Sequence, residues 1–255
     1  MNIQKVILSA VLMLGMNIVF SQDVLYASLK RGLGLRDQPS SNGKVLEMIP
    51  YGQMINVLPD GSKKISISLE GFSGVWQKVN YNNTTGYVVS SYLLPSPPPG
   101  ESVKTFADYL AQITAPSGKE VVIKKGKIAF TGNGSIEKKQ LYKNGMRSDT
   151  WEFYEAGTET YTLPKFSIEQ CFLLLRLLHE WTDAVGENDM FPSKNGASSD
   201  KQKNIKVQRG LINGKLGAIN KINISSSDEY TGGGAYTLDI YILKNQAVIS
   251  YSSGV

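Results

Sequence analysis

Residues 76–95, "WQKVNYNNTTGYVVSSYLLP", decide how this chain is read. Apolar residues alternate on both sides of a polar run, Asn82-Asn83-Thr84-Thr85-Gly86, in which Asn and Gly tolerate positive φ. The pattern predicts an antiparallel hairpin that closes just before a run of prolines. Upstream, "GKVLEMIPYGQMINVLP" alternates in the same way around Pro50-Tyr51-Gly52, and "SKKISISLEG" alternates at Ile65, Ile67 and Leu69. About five short strands in so few residues bury a core only by curling into a small barrel.

The N-terminus is read separately. Residues 1–5 carry one cation, Lys5, and residues 6–20 are almost wholly apolar. Val19 and Ser21 then fit the −3 and −1 positions of a cleavage site. Residues 1–21 are therefore expected to be a secretory signal peptide. The apolar run is shorter than the roughly 20 residues a spanning helix needs, so no membrane span is expected after cleavage. The expected location is periplasmic or secreted. Cys171 is the only cysteine, so no internal disulfide forms and stability rests on apolar cores.

The 27 Lys and Arg against 22 Asp and Glu give a net charge of +5, or +4 once Lys5 leaves with the leader. That surplus suits anionic envelope polymers. It is far from the concentrated basic face that nucleic acid requires, and no nucleic-acid partner is expected.

Several motifs fall in one order. Leu33-Gly34-Leu35-Arg36, Pro39-Ser40, Lys44-Val45-Leu46, Gly52, Trp76, Lys78-Val79, Gly86-Tyr87-Val88 and Tyr92-Leu93 resemble the bacterial SH3 (SH3b) domain across residues 24–95. Two departures stand out: Gly34, where many members carry Asn, and an extended connection over residues 59–73. The resemblance implies an SH3-like barrel that binds peptidoglycan or another envelope polymer or protein, as a non-catalytic targeting module. Tyr51, Trp76, Tyr81 and Tyr92 are the candidate groove residues, because such rings bury large area while keeping a polar edge. The competing reading is that they pack the barrel.

"LLPSPPPGES" follows, and residues 96–102 read as a polyproline spacer. Residues 103–255 read as one α+β unit, an antiparallel sheet packed on a central helix. Thr105 with Asp108 is a helix N-cap pattern before "FADYLAQI". Ser167 with Gln170 forms a capping box before an apolar helix expected over residues 168–185, with Arg176 and Glu180 paired along it. Hairpin turns are expected at Asn144-Gly145, Asn213-Gly214 and Lys244-Asn245. Residues 142–157 are similar to a single MORN-type repeat, and one copy reads simply as a hairpin of this unit. Lys124, Lys125, Lys127, Lys138 and Lys139 are read as a basic patch able to meet anionic polymers.

No catalytic set is assembled. Cys171 and His179, eight residues apart on one helix, stand roughly 12 Å apart along its axis and form no dyad. A single His meets no zinc pattern, and no metal or cofactor is expected. "TGNGS" and "TGGGA" lack phosphate-binding spacing. Carboxylate-only hydrolysis or transglycosylation of wall glycan stays open, with Glu169 and Glu180 as its nominal carboxylates. So does a purely structural barrel docked on the second unit.

Overall fold

The computed structural model describes residues 23–126, 134–154, 156–197, 203–212, 215–226 and 235–254. The expected signal peptide, Lys127 and the Asn213-Gly214 turn lie outside these residues. In the hairpin of residues 76–95, Tyr81 pairs with Thr84, so the turn is Asn82-Asn83 alone, both left-handed at φ 46° and 62°. Gly86 is a strand residue. Its lack of a side chain serves close approach, because a Cβ there would lie 2.6 Å from the Arg36 carbonyl oxygen.

This hairpin belongs to the first, curled sheet. Its strands are β1 (Val24–Ala27), β2 (Leu33–Arg36), β3 (Val45–Ile49), β4 (Met54–Val57), β5 (Ser66–Leu69), β6 (Phe72–Tyr81), β7 (Thr84–Val89) and β8 (Leu93–Leu94). They run in the order β3-β2-β7-β6-β4-β1-β8, with β5 paired to β6. Leu35, Ile49, Ile55, Val79 and Val88 fill the inside with no exposure. The extended connection of residues 59–73 is itself a hairpin. β5 and β6 pair from Ser66 opposite Val75 to Leu69 opposite Phe72, across Glu70 and Gly71, both at positive φ.

The second sheet has nine antiparallel strands in the order β13-β14-β15-β16-β17-β12-β11-β10-β9. These are β9 (Val121–Lys125), β10 (Ser135–Leu141), β11 (Arg147–Phe153), β12 (Ala156–Leu163), β13 (Gly196–Ala197), β14 (Lys203–Ile212), β15 (Lys215–Ser226), β16 (Ala235–Leu243) and β17 (Gln246–Gly254). The fold is thus mainly β, a small barrel followed by an antiparallel sheet packed on a helix. The Lys244-Asn245 turn forms as expected, both residues being left-handed. At Asn144-Gly145 only Gly145 is left-handed (φ 84°), so that hairpin turns through a three-residue loop rather than a two-residue type I′ turn.

α1 (Phe106–Ile113) starts at Thr105, whose hydroxyl accepts the Asp108 N–H. α2 (Ile168–Leu177) starts with the full Ser167–Gln170 capping box. It ends eight residues before the expected Val185, because Leu178 is extended and closes the helix. The apolar residues beyond it are buried by an irregular segment instead: Leu178, Trp181, Ala184 and Val185 all enter the core. Trp181 stacks on Tyr251 at 4.8 Å and on Phe106 at 5.4 Å. The expected Arg176–Glu180 pair is consequently absent; Arg176 bonds Glu70, and Glu180 accepts the Phe106 N–H.

One continuous set of buried side chains runs from Ala27 in the barrel to Ile249 in the second sheet. The proline segment is held between the two units. Pro98 and Pro99 are buried, Gln112 donates to the Pro98 carbonyl at 3.0 Å, and Tyr51 donates to that of Pro99 at 2.8 Å. Polyproline geometry leaves carbonyls without local partners, and here both units supply the donors.

Candidate functional site

The four candidate rings do not form an open groove. Trp76 is 7% exposed and Tyr92 is 4% exposed, and both belong to the continuous core. Tyr81 is half-buried against that core at the end of β6. Tyr51 sits in the turn between β3 and β4, where left-handed Gly52 (φ 79°) reverses the chain. Its hydroxyl donates to Pro99, and burial pushes its pKa up to about 12, so it stays a neutral donor.

What closes the groove is the chain itself. The tip of the β5–β6 hairpin inserts against α2 and the Phe191 segment. Phe72 is fully buried, stacked on Phe191 at 5.2 Å and edge-on to Phe172 at 6.0 Å. Burying a Phe ring this completely contributes ~1.5–3 kcal/mol. The Phe191 N–H donates to the Glu70 carbonyl at 3.0 Å. A Cβ on Gly71 would run into the Phe191 carbonyl oxygen, so only glycine fits there. Arg176 of α2 completes the contact, bonded to Glu70 at 2.8 Å and lying over the Phe72 ring at 5.6 Å. Gln170, having closed its own helix cap, also donates to the Leu93 carbonyl at 2.9 Å.

Two clefts remain at this seam. The first, about 340 Å³, is lined by Lys30 and Tyr51 of the barrel, Pro99 and Lys104 of the connection, and Leu177 and His179 beyond it. The second, about 260 Å³, shares Lys30 and Leu177 and adds Arg31, Tyr92, Arg176 and Glu187. Lys30 pairs with Glu187 at 3.0 Å, which holds the Glu187 carboxyl below its ordinary value through that hydrogen bond and charge. Among the described residues Arg31 and Lys104 make no ion pair, so the seam presents available cationic donors beside a phenol ring and an imidazole. That set can hold a polar or anionic group by charge-assisted hydrogen bonds.

Of the residues considered for catalysis, only His179 reaches a cleft. Cys171 is fully buried and its thiol is pushed far up by that burial. His179 stands beyond the end of α2, in the first cleft. Glu169 and Glu180 line neither cleft. Burial pushes Glu180 up to about 7, with its Phe106 N–H bond pulling the other way and Glu159 and Asp108 adding to the rise.

The lysines expected to form one patch separate into pairs. Consecutive residues of a strand point to opposite faces, so Lys124 and Lys138 share one side of the sheet and Lys125 and Lys139 the other. Lys138 pairs with Glu152 at 3.0 Å and Lys139 with Glu137 at 2.8 Å, which removes most of their excess charge. Lys127 lies outside the described residues.

Residues 31–93 match the family model of the bacterial SH3 domain. The match ends at the start of β8, so the second sheet lies outside it. No curated protein and no solved structure matches the chain. Within the SH3 domain, the segment that departs from the family outline, residues 59–73, is the one that reaches into the second unit. Sequence reading marked that departure but not its partner. Lys30, Lys104, Leu177 and His179 are brought together only by packing between units, and no local motif announces them.

Proposed function

We propose that this protein is an exported, non-catalytic binding protein of the cell envelope, which holds peptidoglycan or another envelope polymer or protein. The SH3 match at residues 31–93 carries this reading, since bacterial SH3 domains are associated in general with cell-wall binding. The net positive charge and the cations at the seam support an anionic or polar ligand. In this reading Tyr51, Lys104 and His179 are the contact residues, and Trp76 and Tyr92 support them from within the core. The test is retention of the mature chain on purified peptidoglycan. Tyr51→Ala combined with Lys104→Ala is expected to weaken it. Retention no better than an unrelated basic protein sinks the proposal.

A second reading is favoured by the burial of Trp76 and Tyr92 and by the ring cluster around Phe72. In it the SH3 domain is a structural half of one body, and ligand contact is made by the second sheet. Here the double variant leaves retention unchanged, while removing residues 24–95 exposes apolar surface and makes the remainder aggregate.

A further inference from the structure

The nine-stranded sheet has two unlike faces. One carries Ile222, Ile224, Leu238, Ile240 and Ile249, all buried on the α2 side. The alternate positions point the other way. The pairing register aligns Trp151, Thr158, Ser252, Thr237 and Ser225 in one row across β11, β12, β17, β16 and β15. Asp149, Thr160, Ser250, Asp239 and Asn223 form the next row.

The chemistry of these rows is specific. Thr158 and Ser252 hydroxyls meet at 2.9 Å and those of Thr160 and Ser250 at 3.0 Å. Asn223 donates to Asp239 at 2.9 Å, and Lys221 neutralises the same carboxylate at 2.9 Å. Each hydroxyl pair uses one O–H between its two oxygens and keeps the second O–H and several lone pairs for a ligand. The Thr and Ser residues of both rows are partly exposed. At the end of the rows Trp151 and Phe153 are 45% and 40% exposed, with ring centroids 4.5 Å apart. An exposed ring pair thus stands beside two rows of partly exposed hydroxyls.

We propose that this face binds an extended polysaccharide chain. A sugar ring stacks its C–H face on Trp151 and Phe153, and the following sugars exchange hydrogen bonds with the Thr and Ser rows and with Asp239 and Asn223. A pyranose joins an apolar face to a rim of hydroxyls, which matches ring and rows together. A lipid surface or an apolar peptide would bury the hydroxyls without partners, at roughly 1–3 kcal/mol each. Nucleic acid would find the cations of this face already engaged, Arg147 with Asp149, Lys139 with Glu137 and Lys221 with Asp239. Strands about 4.8 Å apart set out a regular ladder for a repeating polymer. The site is distinct from the seam, and it rests on the envelope reading only for the choice of polymer.

The test is affinity electrophoresis of the full mature chain in soluble peptidoglycan glycan strands freed of their stem peptides, beside retention on intact peptidoglycan. Trp151→Ala removes the platform, and Thr160→Lys replaces one hydroxyl pair with a long side chain across the rows. The expected result is retardation by the naked strands that falls about tenfold or more in both variants, with both variants still unfolding cooperatively. Absence of retardation of the wild-type chain overturns the proposal, even if intact peptidoglycan still retains it through the seam. Unchanged retardation of Thr160→Lys overturns it equally. Retardation by naked strands without retention on intact peptidoglycan upholds this site and removes the wall-binding reading instead.

Discussion

Arg176 lies over the ring of Phe72, its guanidinium carbon 5.6 Å from the ring centre, although the two residues belong to different sheets' surroundings. The same guanidinium bonds Glu70, two residues before that ring, at 2.8 Å. A planar cation with a fixed fork can stack and bond at once, which an ammonium group cannot do. Through this contact the α2 helix of one unit holds the added hairpin of the other.

Phe72→Ala is expected to be the most damaging single change in the barrel. It empties a fully buried site shared by Phe172 and Phe191, at a cost of ~3–5 kcal/mol. Thermal unfolding followed by circular dichroism reads it. A loss below about 1 kcal/mol would mean that the hairpin tip is not packed as described.

Two glycines make an internal comparison. Gly52 and Gly71 have nearly equal φ, 79° and 81°, but a Cβ at Gly52 meets nothing within 4 Å whereas one at Gly71 meets the Phe191 carbonyl. Gly52→Ala should cost about 1–2 kcal/mol, the left-handed backbone penalty alone. Gly71→Ala should cost clearly more, and equal losses in urea titrations would contradict the docking geometry.

Much of this architecture is legible in residue patterns, and the reasons are local. Asn82-Asn83, Lys244-Asn245 and the Ser167–Gln170 box each settle their own backbone within four residues, so composition suffices. The end of α2 was not legible. Residues 178–185 are as apolar as a helix face because an irregular segment buries them, and apolar content alone cannot separate the two cases. The closed groove was harder still: Phe72 meets Phe191 across more than a hundred residues, and nothing near either ring announces the other. The lysine patch, by contrast, could have been resolved from strand alternation, which sends Lys138 and Lys139 to opposite faces.

Glu180 makes stability depend on pH. Its folded pKa, about 7, stands above the ordinary 4.5, so the folded chain holds the proton more tightly than the unfolded one. The resulting stabilisation is complete below 4.5 and is lost as pH rises to about 7. Glu180→Gln keeps an acceptor for the Phe106 N–H and should flatten the melting temperature across that window. A variant that keeps the wild-type slope would assign it to other groups.

Tyr51→Phe keeps the ring of the first cleft and removes the hydroxyl that donates to Pro99. The buried carbonyl then lacks its donor, for a loss of about 1–2 kcal/mol. Chemical denaturation measures this, and a neutral outcome would mean that the proline segment is not held from the barrel side.

The central claim is that the SH3 domain and the second sheet unit share one core. Trp76 reports on the first and Trp181 on the second, so two single-tryptophan variants, with the other tryptophans replaced by Phe, follow each half in urea by fluorescence. One body unfolds once: the two curves are expected to coincide in midpoint and slope. Separate transitions, with the Trp76 signal and the Trp181 signal lost at different urea concentrations, would contradict it.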